Sequence, residues 1–179
     1  MTAVTNEILL PFVLLGMGLY FAALIARGLS RFARFRRVRP TALVSWPAPR
    51  PKNLGLLLAL GVLAAFVAVL NGVLERPWHN VLSQALVAVY FILVVPLSLR
   101  IEWGCYAQGV WADGGFLPYA DIRQMAFHEV GAIVLVLVPR SGAVPFRMLV
   151  PPSEYGAVRR VLEDKARNRE LQLERVLEP

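Results

Sequence analysis

The chain has 179 residues, 57% of them hydrophobic, and a formal net charge of +7. So apolar a composition argues against an ordinary soluble domain. The excess charge sits in one place: residues 27–52 carry eight arginines and lysines and no acid, whereas residues 100–179 hold ten basic and ten acidic side chains. A basic footprint confined to one short connection argues against nucleic acid as a partner and points to lipid headgroups and topology. The lone cysteine, Cys105, excludes an intrachain disulfide.

Three uncharged apolar stretches, residues 8–26, 53–74 and 80–99, each approach the ~20 residues a helix needs to cross a bilayer core. They predict a three-helix transmembrane region over residues 1–100. Because Lys and Arg near span ends collect on the cytoplasmic side, the eight basic residues of the 27–52 connection against Arg76 alone in the 75–79 turn place the connection inside. The N-terminus is then outside and the segment from Arg100 onward cytoplasmic. No basic residue precedes the first stretch, so it reads as a retained anchor and not as a signal peptide.

Small residues repeat at helical spacing: Gly18, Ala22 and Ala26 in the first span, and Gly61 and Ala65 flanked by Ala64 and Ala68 in the second. They let helices approach closely, either with each other or along the seam of an oligomer or partner. No ionisable side chain lies mid-span, which argues against a transporter. Asn71 and Gln84, at similar depth beside the outer turn, are expected to hydrogen-bond across it.

Within the connection, Leu29, Phe32, Phe35 and Val38 recur every three residues among arginines, the pattern of a helical extension lying on a membrane surface. Pro40, Pro47, Pro49 and Pro51 then favour an extended strap, with Trp46 as an interfacial anchor. The membrane-surface candidates are Arg31, Arg34, Arg36, Arg37, Arg39, Trp46, Arg50 and Lys52. Their role is anionic-lipid binding or, alternatively, topology alone.

Residues 101–179 change to period two. Ile101, Trp103 and Cys105 alternate with polar positions. A short strand over 109–112 meets the hairpin turn Asp113-Gly114-Gly115, where both glycines accept positive φ. Strands are expected near 116–119, 122–127, 132–138 and 144–150, separated by the 139–142 turn, giving an antiparallel meander with room for about five strands. After Pro151-Pro152, Ser153 is a candidate N-cap for a closing helix whose apolar face carries Tyr155, Val158, Val161, Leu162 and Ala166. The predicted class is therefore membrane α plus α+β: three transmembrane helices, then a small β-meander with one C-terminal amphipathic helix.

The run from Gly109 to Ile122, followed by an apolar strand, a glycine turn and the segment from Leu149 to Leu162, resembles the small PH-like (pleckstrin-homology-like) domains of bacterial membrane proteins. Gly114, Gly115, Phe116, Leu117, Pro118, Tyr119, Asp121 and Ile122 carry the resemblance. It implies a PH-like domain over 101–179 in a multi-pass protein of the bacterial cytoplasmic (inner) membrane. Such a domain would bind an unidentified protein partner or anionic lipid headgroups.

Reaction chemistry is not assembled. His128-Glu129 lacks a second histidine at zinc-protease spacing, and His79 belongs to the outer turn, so no metal is expected. Gly114-Gly115 lacks the Lys-Ser/Thr of a phosphate loop, and Cys105 falls on the apolar face of a strand. Asp113 serves a turn, and Asp121 is expected to cap or hydrogen-bond the short segment before its strand. No cofactor is expected. The reading is a non-enzymatic membrane protein displaying a PH-like domain, with an accessory subunit of a larger membrane complex as the alternative.

Overall fold

The computed structural model describes residues 2–128, 131–142 and 144–171, with side chains from residue 11. The chain divides into two compact units: residues 1–33 with 49–100, and residues 34–48 with 101–179.

The first unit is helical. Helix α1 spans Thr2–Val38, α2 Leu54–Val73 and α3 Trp78–Val89, the last continued by a π turn, Tyr90–Val94, and by α4, Val95–Ser98. Three stretches, Pro11–Thr41, Leu54–Val73 and Trp78–Ser98, are long and apolar enough to cross a membrane. The small residues do bring helices together. Gly61, Ala64 and Ala68 form the buried face of α2, and a Cβ on Gly61 would stand 2.8 Å from Cβ of Phe91. In α1 the close approaches are at Gly18, beside Ser83 and Leu86, and at Gly28 against Val94; Ala26 is exposed.

Pro96 explains the π turn. It has no N–H for the Ile92 carbonyl and its ring would crowd that turn. The preceding turn widens instead, and the Val95 N–H reaches back five residues to the Tyr90 carbonyl. This sets Phe21 against the rings of Tyr90 and Phe91, with centroids 5.4 and 6.0 Å apart. The expected Asn71–Gln84 hydrogen bond is not formed: among the described residues neither side chain bonds the other, and it is the Asn71 backbone carbonyl that accepts, from the Arg76 N–H.

The second unit is two antiparallel meanders and a helix. Strands β1 (Ala42–Pro47), β2 (Glu102–Tyr106), β3 (Gly109–Ala112) and β4 (Gly115–Pro118) form one sheet in that order. Strands β5 (Ile122–His128), β6 (Val134–Pro139) and β7 (Phe146–Leu149) form the second. Helix α5, Pro152–Arg167, packs Val158 and Leu162 into their common core with Ile122, Leu135, Leu137, Met148 and Val150. Tyr155, Val161 and Ala166 flank that core, as the helical periodicity required.

Four expectations are corrected. The strands number seven among the described residues, not about five, because the region after residue 100 supplies six and the basic connection supplies β1. The 1–100/101–179 division fails for residues 34–48, which cluster with the β unit. Ser153 is not the N-cap of α5: Pro151 is, with Pro152 at the first helical position, where its missing N–H costs nothing, and the Ser153 hydroxyl turns to Glu154. At the β3–β4 hairpin only Gly115 takes positive φ, at 119°; Gly114 is needed for space, since a Cβ there would stand 2.6 Å from the Phe146 ring.

Candidate functional site: the basic segment and the sheet corner

The basic connection is not a free strap. Helix α1 runs unbroken to Val38, a short 3-10 turn spans Arg39–Thr41, and the proline-bounded stretch that had to be extended finds a partner in β2. Pro40 lies in the 3-10 turn and Pro47 ends the edge strand, positions where a missing donor is tolerated. Trp46, expected at a membrane surface, is 7% exposed in the core, and its Nε1–H donates to the Leu149 carbonyl of β7 at 3.0 Å. The amphipathic period was real, but at Phe35 its apolar face meets protein. Phe35 is 2% exposed, edge-on to Trp111 at 5.5 Å and Tyr106 at 6.4 Å.

The arginines divide accordingly. The Arg34 guanidinium lies 5.2 Å from the centroid of the Phe116 ring, a contact worth about 0.5–1 kcal/mol at an exposed site. Arg39 pairs with Glu102 at 3.1 Å, and Ser45 donates to the other oxygen of that carboxylate at 3.0 Å. Arg36 and Arg37, Arg50 and Lys52 are exposed, while Arg31 is half-buried and engaged.

The residues carrying the resemblance build the corner where one sheet turns into the next. Phe116 packs on Trp111 at 5.8 Å. Leu117, Tyr119 and Ile122 are buried in the core, and Pro118 ends β4. The Tyr119 hydroxyl donates to the Tyr106 carbonyl at 2.9 Å. Among the described residues the Asp121 carboxylate makes no capping bond: its backbone carbonyl takes the Arg140 N–H at 2.8 Å, and Arg140 Nε donates to the Ala120 carbonyl. Asp113 does more than close a turn. Its Oδ1 accepts from the N–H groups of Gly114 and of Arg147, tying the first sheet to the outer edge of β7. Trp46 caps the same edge two residues on at Leu149, so side chains close the seam where no strand ladder does. This device was invisible in sequence, because Asp113 reads there as an ordinary turn aspartate.

Cys105 is fully buried, and that burial pushes its thiol up to about 12 from an ordinary 9.0, partly offset by a hydrogen bond with Tyr119. Burial raises the phenols of Tyr106 and Tyr119 as well. A thiolate nucleophile is therefore not available at neutral pH. Among the described residues no group of three His, Cys, Asp or Glu side chains gathers at metal-binding distance.

A pH dependence follows. A folded pKa raised above the unfolded value gives stability that is fully present below pH 9 and is lost as pH rises toward 12. Cys105 alone should remove about 1.4 kcal/mol per pH unit across that window. Urea midpoints measured from pH 8 to 11 should fall for the native chain and fall less for Cys105→Ser. Identical slopes would contradict the burial effect.

No family model matches the chain, and comparison with curated proteins and with solved structures finds no match for it.

Proposed function

We propose that this chain is a non-enzymatic, three-span protein of the bacterial cytoplasmic membrane, with its N-terminus outside and a PH-like β unit in the cytoplasm that holds a protein partner or anionic headgroups. The observation that carries this reading is the strand arrangement: four antiparallel strands, then three, in chain order, with one amphipathic helix packed into the shared core. A full PH-like domain has seven strands, and counting β1 brings this unit to that number. Orientation rests on the charge asymmetry of the two connections between the apolar helices.

Orientation is testable without a cysteine-free background, because Cys105 is buried and unreactive. Single probes are introduced as Trp78→Cys, Arg36→Cys and Arg160→Cys. A membrane-impermeant maleimide applied from outside should modify the first and spare the other two until lysis. Modification at position 36 in intact cells would overturn the orientation.

A further inference from the structure

We propose that β5 is the dimer edge of this protein: two copies of the chain join their β5 strands antiparallel about a two-fold axis at Ala126, merging two three-stranded sheets into one of six. The two sheets of the β unit have four outer strands, β1, β4, β5 and β7, and a bare outer strand is a template for further pairing. Three of the four are blunted. Strand β1 carries a bulge between Ala42 and Val44 and ends at Pro47. Strand β4 is four residues long and ends at Pro118. Strand β7 is also four residues long, and its outer edge is taken by the Asp113 carboxylate and the Trp46 N–H. Strand β5 has none of these devices along most of its length. It runs for seven residues without a proline, and its one bulge, between Ile122 and Gln124, lies at its start.

Beyond that bulge, residues 124–128 pair with β6 on one side, and among the described residues nothing bonds their backbone on the other. Residues 124–127 are all half-buried, whereas every residue of β3, an inner strand, is buried. Outward N–H and C=O groups at strand spacing are matched by another extended main chain. The side chains say which chain. With Ala126 on the axis, Met125 stands opposite Phe127 of the second copy and Gln124 opposite His128 of the second copy, and each pair occurs twice. Met125 and Phe127 flank the core, with Phe127 held edge-on to Tyr155 of α5 at 5.3 Å, so on that face a thioether meets an aromatic ring. On the other face an amide meets an imidazole, and Ala126 meets itself without crowding the axis. Arg123 lies outside the 124–128 pairing, so no two arginines face each other. An axis one residue earlier, at Met125, sets core residue Ile122 against His128 and draws the bulge into the ladder. An edge complementary to itself in this way makes the isologous contact of a two-fold dimer.

The test uses the full chain in detergent, with protein mass read by light scattering during size-exclusion chromatography. Wild type should show twice the 19.9 kDa of one chain. Ala126→Lys sets two ammonium groups opposite each other on the axis, which destabilises a cross-strand pair; the mass should halve while the circular dichroism spectrum is unchanged. A monomeric wild type, or an Ala126→Lys variant that stays dimeric, would overturn the proposal. Disulfide trapping reads the register without relying on that variant. Ala126→Cys, opposite itself, should oxidise to a covalent dimer, because directly opposed Cβ atoms lie about 4.5–5.5 Å apart. Gln124→Cys and His128→Cys should each remain monomeric on a non-reducing gel when expressed alone and form the dimer when co-expressed. Native Cys105 is buried and takes no part. Trapping of Gln124→Cys with itself, or of Ala126→Cys with another protein and not with its own copy, would give the edge a different register or a partner's strand and overturn the proposal.

Discussion

Replacing Trp46 by Ala is expected to destabilise the β unit by about 3–5 kcal/mol, the cost of deleting a large aromatic side chain from a packed core. Domains of this size are stable by only about 5–15 kcal/mol in total, so the variant should lose a large share of its stability. Two losses combine. The indole leaves a hole among core residues that include Cys105, Met148 and Leu171, and the Leu149 carbonyl on the outer edge of β7 loses its donor. Trp46→Phe separates them: it keeps most of the apolar burial and removes only the N–H, and should cost roughly 1–2 kcal/mol. Denaturant unfolding followed by near-UV circular dichroism reads both. A tryptophan anchored at a membrane surface would behave otherwise, with Trp46→Ala leaving the unfolding curve where it was.

Gly104→Ala is expected to be the most damaging single-methyl addition in the chain, at about 3 kcal/mol or more from backbone strain and steric overlap combined. Gly104 sits in β2 at φ 152°, a conformation that L side chains rarely adopt. Its added Cβ would stand 2.7 Å from the Ser45 Cα and collide with the Val44 carbonyl oxygen, both backbone atoms of β1. Neither can move without breaking the register that pairs Ser45 with Gly104. Gly156 provides the contrast within the same unit. It lies inside α5 with nothing within 4 Å of an added Cβ, so Gly156→Ala should stabilise by roughly 0.5–1 kcal/mol. Thermal melts of the two variants should move in opposite directions from wild type.

Much of this architecture was legible in sequence, and its limits have physical causes. Uncharged runs of about twenty residues announce long apolar helices, and α2 falls within one residue of each end of its predicted stretch. Strand β3 was legible residue for residue, because the Asp-Gly-Gly turn fixes where a hairpin must fold back. The apolar face of α5 was legible for the same local reason: helical periodicity needs no knowledge of the rest of the chain. What sequence concealed was non-local. The 42–47 stretch is recognisably extended, but its partner is about sixty residues away, and nothing in Ala-Leu-Val-Ser-Trp-Pro says whether Trp46 meets lipid or protein. Asp113 was concealed likewise, since its second acceptor role depends on Arg147, thirty-four residues on. The basic candidates split for this reason as well: Arg34 and Arg39 are distinguishable from Arg36 and Arg37 only once Phe116 and Glu102 are in place.

That the basic connection contributes a strand to the β unit is tested most directly by hydrogen exchange on the intact protein in detergent, read at peptides covering residues 42–47 and 102–112. The amides of β1 that face β2 should be protected to within about tenfold of the β2 and β3 amides, and should lose that protection together with them as denaturant is added. Exchange across residues 42–47 at the rate of an unstructured chain, while residues 102–112 stay protected, would contradict it.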